Sequence, residues 1–166
     1  MSDPVSENRS RWDELVAHHL SSDFYDVAGF RAGRDTLSPL ERDGLGDVSG
    51  KSLVHLQCHF GMDTLSWARN GARVTGVDFA PGAIAAATVL SEEIGVPARF
   101  VVSEVTAAAE ALGGETFDIV YTAWGVLGWL PDLSAWGRTV AALMKPGGRF
   151  FICLLYTSDA ADEHSW

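Results

Sequence analysis

From Lys51 onward the chain alternates between two kinds of apolar run. Short, nearly continuous apolar stretches ("SLVHLQ", "ARVTGVDF", "ARFVVS", "FDIVYT" and "RFFICLL") read as strands buried on both faces. Between them lie segments with helical spacing. "MDTLSWARN" is closed by Asn70-Gly71, and "APGAIAAATVLSEEIG" carries Pro81 in its first turn and Gly95 at its end. "TAAAEALG" is a short helix, and "LSAWGRTVAALM" a longer one that runs into a "KPGG" turn. This alternation predicts an α/β fold, a parallel sheet with helices on both faces. The first fifty residues follow another pattern. Residues 6–20 place Trp12, Leu15, Val16 and Leu20 at helical spacing behind a Ser6 cap, "SSDFYDVAGFRAGRD" reads as a loop, and "TLSPLERDGLGDVSG" as a short helix ending in glycine turns. The expected organisation is a helical cap over 1–50 on an α/β core over 51–152.

Size and charge narrow the function. The chain has 166 residues, the size of one domain, and a formal net charge of -10. That charge disfavours nucleic acid and an anionic membrane surface as partners. No apolar run reaches about 18 residues, and the polar start "MSDPVSENRSRWDE" is unlike a signal peptide. Two cysteines, Cys58 and Cys153, make no disulfide framework, so a cytoplasmic setting is expected.

In an open parallel sheet, ligands bind beyond the carboxyl ends of the strands. The residues at those ends are "QCHFG" after the first strand, Asp78-Phe79 after the second, Ser103-Glu104-Val105 after the third and Thr122-Ala123-Trp124 after the fourth. Asp78 lies 17 positions after Gly61, where a carboxylate can accept both ribose hydroxyls of an adenosine. Capping of the next helix is its other reading. Glu104 can meet an adenine edge through backbone or carboxylate, or stand as a solvated loop acid. Trp124 and Trp129 follow the fourth strand, as a substrate wall or as packing against the cap. Trp67 and Trp136 sit within helices and read as core. His55, Cys58 and His59 invite a metal, but strand alternation parts His55 from Cys58 and no fourth ligand is evident, so none is expected. Cys58 reads as a small buried hydrophobe.

Four segments in order carry a family resemblance: His55-Leu56-Gln57-Cys58-His59-Phe60-Gly61, "GARVTGVDFAPGAI", "FDIVYTAWGVLGWLPD" and "LMKPGGRFFI". Together they span roughly Lys51 to Ile152 and resemble the class I methyltransferases that use S-adenosylmethionine, in particular a bacterial group acting on small molecules. The resemblance implies a Rossmann-like, doubly wound, mostly parallel sheet of five strands in the order 3-2-1-4-5, with a cap closing over the cofactor. It implies S-adenosylmethionine as cofactor, a small-molecule acceptor, and cofactor contacts from Gln57, His59, Gly61, Asp78, Phe79, Glu104, Val105 and Ala123. Gln57 and His59 stand where the family's first motif has glycines, and His55 where it has an acid. Their side chains can hydrogen-bond the methionine carboxylate or amino group, and Gly61 is the glycine not expected to be replaceable. No catalytic residue is evident. Tyr25, His18 and His19 in the cap are the candidates for substrate binding or proton removal.

Two alternatives remain open at this point. One is a non-catalytic cofactor-binding module or inactive fragment. The other is an NAD-dependent oxidoreductase, which shares Asp78 but would require Gly-x-Gly-x-x-Gly. The segment from Cys153, "CLLYTSDAADEHSW", lacks the further helix and strands that the resemblance implies, and "CLLYTSDAADE" resembles a translated sequencing adapter. A native chain ending near Ile152 is therefore expected, against a naturally short chain with an acidic end.

Overall fold

The computed structural model describes Val16 and residues 25–154. The expected helix over 6–20, with Arg11, His18 and His19, otherwise lies outside the described residues, as does the chain beyond Leu154. Val16 is helical and packs against Ala80 and Ala83.

The described chain runs α1 (Val27–Arg31), α2 (Pro39–Leu45), β1 (Ser52–Leu56), α3 (Met62–Arg69), β2 (Arg73–Asp78), α4 (Pro81–Glu93), β3 (Arg99–Val102), α5 (Ala108–Ala111), β4 (Phe117–Thr122), α6 (Leu133–Leu143) and β5 (Met144–Ile152). Short 3-10 turns at Val105–Ala107 and Leu127–Trp129 lead into α5 and α6. The five strands form one sheet in the order β3-β2-β1-β4-β5, every pair parallel. The chain winds outward from β1 to β3, then returns to β4 on the other side of β1. Strand order thus reverses between β1 and β4, where the diverging connections leave a crevice above the strand ends.

Period-two alternation sorts the strands onto two cores. Val54, Leu56, Val77 and Val120 face α5 and α6, packing with Leu112, Trp136, Val140 and Leu143. Leu53, Val74, Ile119 and Tyr121 face the other way, against Trp67, Leu37, Leu45 and Val48. Trp67 and Trp136 are buried, as their helical spacing predicts. Leu143, fully buried, contributes about 1.5–3 kcal/mol by its removal from water. Gly76, inside β2, has a role that the strand pattern does not advertise. A Cβ there would stand 2.7 Å from the Phe100 ring and 2.8 Å from Cys58 Sγ. The missing side chain leaves room for the ring of Phe100, its neighbour on β3.

Two expectations are corrected. Within "SSDFYDVAGFRAGRD", Val27–Arg31 is a helix rather than loop, capped by the Asp26 side chain, which accepts the Gly29 N–H at 3.0 Å. "KPGG" is not a turn ahead of the last strand. The β5 strand begins at Met144, directly after α6, and absorbs the extra residues as an irregularity between its Phe117↔Met144 and Ile119↔Arg149 pairs.

Helix α2 forms as its sequence predicts. Ser38 Oγ accepts the Glu41 N–H at 3.3 Å, Glu41 Oε2 accepts the Ser38 N–H at 2.8 Å, and Pro39 opens the first turn. Glu41 is itself buried, and its other oxygen accepts a short hydrogen bond from the Tyr121 hydroxyl. That bond ties α2 to the middle of the sheet. Among the described residues no helix is long and apolar enough to cross a membrane.

Candidate functional site

A cavity of about 860 Å³ opens at the carboxyl ends of β1, β2, β3 and β4. This is within the usual size range of ligand pockets, about 300–1,000 Å³. Gln57, His59, Gly61, Asp78, Phe79, Glu104, Val105, Ala123, Trp124, Trp129 and Tyr25 all line it. The topology therefore brings together the described candidates, while His18 and His19 lie outside the described residues.

The loop after β1 is held by its backbone. Gln57 has φ 60°, His59 φ 51° and Gly61 φ 79°, all left-handed. The two residues that replace glycines thus keep the conformation that glycine adopts without strain. A Cβ on Gly61 would lie 2.8 Å from the Phe100 ring and 3.0 Å from Ala87 Cβ, so this position admits only glycine without displacement. Cys58 N–H donates to the Val77 carbonyl at 3.0 Å, stitching the loop to β2. Cys58 is buried, as expected of a small hydrophobe, and burial pushes its thiol well above the usual range.

Asp78, at the end of β2, is buried and spans two backbone donors. Its Oδ2 accepts the His59 N–H at 2.8 Å, and its Oδ1 the Ala80 N–H at 3.0 Å. It therefore organises the loop after its own strand and the loop after β1. The cap of α4 is Ala80, without a side-chain bond, so helix capping in the strict sense is not what Asp78 does. Its carboxylate also lines the cavity.

The floor of the cavity holds unused polarity. His55 is 2 % exposed, its Nδ1 lies 2.8 Å from Thr64 Oγ1, and its Nε2 has no hydrogen-bond partner. Burial pushes the imidazole down to about 3, so the ring is neutral. Gln57 Oε1 is likewise buried without a partner. Asp63, in the first turn of α3, accepts the Thr36 hydroxyl at 2.6 Å. Burial, reinforced by Glu41 and Asp35, pushes its carboxyl up to about 6 against the pull of that hydrogen bond. Tyr25 packs edge-on against Phe60 with ring centres 4.9 Å apart and lies 5.8 Å from the His59 ring. Its phenol is raised by burial and by the nearby charge of Asp63. Trp124 and Trp129, which also line the cavity, are 40% and 48% exposed.

Sequence reasoning missed Arg34, Asp35, Thr36 and Asp63, which also line the cavity. The first three lie in a connecting segment whose approach to the sheet is a tertiary fact. Asp63 had a signal, a carboxylate two residues past the motif glycine, but an acid in a first turn also serves the helix dipole.

Known proteins are similar to this chain in sequence and in fold. Residues 54–150 match the family model described as a methyltransferase domain. A "Ubiquinone biosynthesis O-methyltransferase" from Methylobacterium sp. is 37% identical over 148 residues, covering 84% of this chain and 56% of that protein. A protein of the same name from Xanthomonas oryzae pv. oryzae is 33% identical over 164 residues, covering 95% of this chain and 66% of the relative. The chain thus spans between about half and two thirds of the length of these curated relatives. Among solved structures, magnesium protoporphyrin IX methyltransferase from Synechocystis with bound SAM superposes with a TM-score of 0.61 at 17% identity, covering 92% of this chain and 76% of that one. That likeness is one of fold. The β3-β2-β1-β4-β5 sheet, the glycine-type loop after β1 and the match across 54–150 together make this chain a member of the methyltransferase domain family.

Proposed function

We propose that the chain carries the S-adenosylmethionine site of an enzyme that transfers a methyl group to the oxygen of a small-molecule acceptor. The observation that carries this reading is the pairing of a left-handed loop after β1 with a buried carboxylate at the end of β2, both lining one cavity. The names of the relatives, O-methyltransferases, support the transfer and the acceptor atom.

The residues present fit the cofactor. Asp78 offers carboxylate lone pairs to ribose hydroxyls, and would repel a 2′-phosphate. Glu104 and Val105, beyond β3, line the cavity where an adenine edge would be met, with Phe79 beside them in the wall. The partnerless Gln57 Oε1 is a buried acceptor in need of a donor, which a ligand N–H supplies. Gly61 and Ala123 also line the cavity, each with little or no side chain. When bound, the cofactor supplies an electrophilic methyl on a sulfonium, whose departure leaves a neutral thioether.

The protein's own work is then positioning. Holding two reactants in line is worth up to about 7–11 kcal/mol, so a reaction with so good a leaving group needs little more. Trp124 and Trp129 form an apolar wall at the mouth and suit an apolar acceptor. Tyr25, neutral with its raised phenol, serves as a hydrogen-bond donor at the acceptor rather than as a base. Asp35, Asp63, Asp78 and Glu104 line the cavity and disfavour an anionic acceptor, nucleic acid included. Two free, buried cysteines suit a reducing cytoplasm.

Calorimetric titration with S-adenosylhomocysteine and, separately, NAD tests the reading. S-adenosylhomocysteine should bind and NAD should not, and Asp78→Asn, checked for folding by circular dichroism, should weaken binding tenfold or more, about 1.4 kcal/mol. Binding of NAD alone would overturn it. Labelled methyl transfer to a panel of apolar hydroxyl compounds then separates an enzyme from a binding module.

A further inference from the structure

One carboxylate in the cavity is unused by the contacts assigned so far. Asp63 has Thr36 Oγ1 as its hydrogen-bond donor, and no ion pair among the described residues includes it. The arginines of the neighbouring segment are engaged elsewhere. Arg42 pairs with Asp35 at 2.6 Å, and Arg34 with Asp26 at 2.9 Å. Glu41, on α2, and Asp35 add negative charge to its surroundings, and Tyr25 and Tyr121 face it as neutral phenols. Cys58 and Cys153, also within reach of its charge, are held as neutral thiols. A half-buried carboxylate without a counter-charge is costly, and a cation brought by a ligand removes that cost.

A second observation points the same way. His55, on β1 and bonded through Nδ1 to Thr64 in the first turn of α3, also lines the cavity, is 2 % exposed and has a partnerless Nε2. Being neutral, it can meet a ligand N–H or a ligand acceptor but cannot balance a positive charge. Among the described residues no group of three or more His, Cys, Asp or Glu is arranged to hold a metal ion. A single carboxylate beside a neutral imidazole suits an organic ammonium, which needs one counter-charge and further hydrogen-bond acceptors. Asp78 and Asp63 stand on opposite sides of the Gln57–Gly61 loop in the chain, and Asp78 has its two backbone donors and the ribose end to serve.

Resting on the cofactor reading above, we infer that Asp63 is the counter-charge for the α-ammonium group at the amino-acid end of the cofactor, with His55 Nε2 as the neutral second contact of that subsite. This divides the ligand between two carboxylates, one per end.

Two ligands that differ at that end test the inference: S-adenosylhomocysteine, which has the ammonium, and methylthioadenosine, which lacks the amino-acid end. In the wild type, S-adenosylhomocysteine should weaken about tenfold per pH unit below about pH 6, as Asp63 takes up a proton, while methylthioadenosine binding stays flat. Asp63→Asn should weaken S-adenosylhomocysteine about tenfold or more at pH 8, remove its pH dependence and leave methylthioadenosine unchanged. Asp63→Glu should restore part of both. Equal weakening of the two ligands in Asp63→Asn, or no weakening of either, would overturn the assignment and leave the cofactor reading standing. Failure of the wild type to bind either ligand would overturn both.

Discussion

Gln57 and His59 hold left-handed backbone angles that glycine adopts at less cost. Each non-glycine residue in the left-handed region costs about 1–2 kcal/mol, which glycine would avoid. Gln57→Gly is therefore expected to raise stability slightly, by up to about 1 kcal/mol after the greater entropy of an unfolded glycine, while weakening S-adenosylhomocysteine binding. Urea unfolding and calorimetry on the same protein check both halves, and a variant that loses stability would contradict the strain. Gly61 is the opposite case. Gly61→Ala adds the left-handed cost to an overlap with Phe100 and should destabilise by about 2–4 kcal/mol. Gly147, at φ 76° with nothing within 4 Å of an added Cβ, is the control: Gly147→Ala should cost only the backbone share, about 1–2 kcal/mol. The residue types at 57, 59 and 61 were legible as a departure from a glycine loop. That the backbone would keep the glycine conformation was not, because a glutamine or a histidine gives no sign of a positive φ.

The elements themselves were largely written in the apolar pattern. Five continuous runs became five parallel strands, because strands buried on both faces need no polar alternation. What the pattern could not show was local hydrogen bonding. Five residues at Val27–Arg31 are too few for a periodicity, and only the Asp26 side chain on the Gly29 N–H announces the helix. Likewise "KPGG" has turn composition, but pairing with β4 draws it into β5 as a bulge. The cavity residues of the connecting segment before β1 were hidden for a related reason, since their positions depend on α2 docking through Glu41. Tyr121→Phe tests that docking. It leaves a buried carboxylate oxygen without its donor and should cost about 1–3 kcal/mol in denaturant unfolding. A cost near zero would mean that the bond does not hold α2.

At the scale of the whole molecule, two buried titrating groups oppose each other. The unfolded chain takes up a proton on His55 below about pH 6.5 that the fold refuses down to about 3, so this contribution to stability is complete above 6.5 and lost as pH falls. Asp63 has the reverse sign. The fold keeps its proton up to about pH 6, whereas the unfolded chain releases it near 4, so stability falls as pH rises between them. Each slope is about 1.4 kcal/mol per pH unit, and between about pH 4 and 6 they cancel. Wild-type stability should be nearly level across that window, and Asp63→Asn should rise with pH by about 1.4 kcal/mol per unit. Unfolding midpoints in urea at pH 4, 5 and 6 decide it; parallel profiles for the two proteins would refute the assignment of the slope.

The bond from Tyr121 to Glu41 also bears on how the molecule comes apart. Its donor sits on β4, an inner strand of the sheet, and its acceptor on a helix that precedes the sheet in the chain. The segment carrying α2 is thus fastened to the last part of the fold to open, rather than hinged on its rim. Arg31, Arg34 and Arg42 are exposed on it and chemically open to trypsin, yet cleavage there should wait on unfolding of the sheet. Amide exchange along α2 should accordingly run at the slow pace of β4 rather than the fast pace of a surface helix.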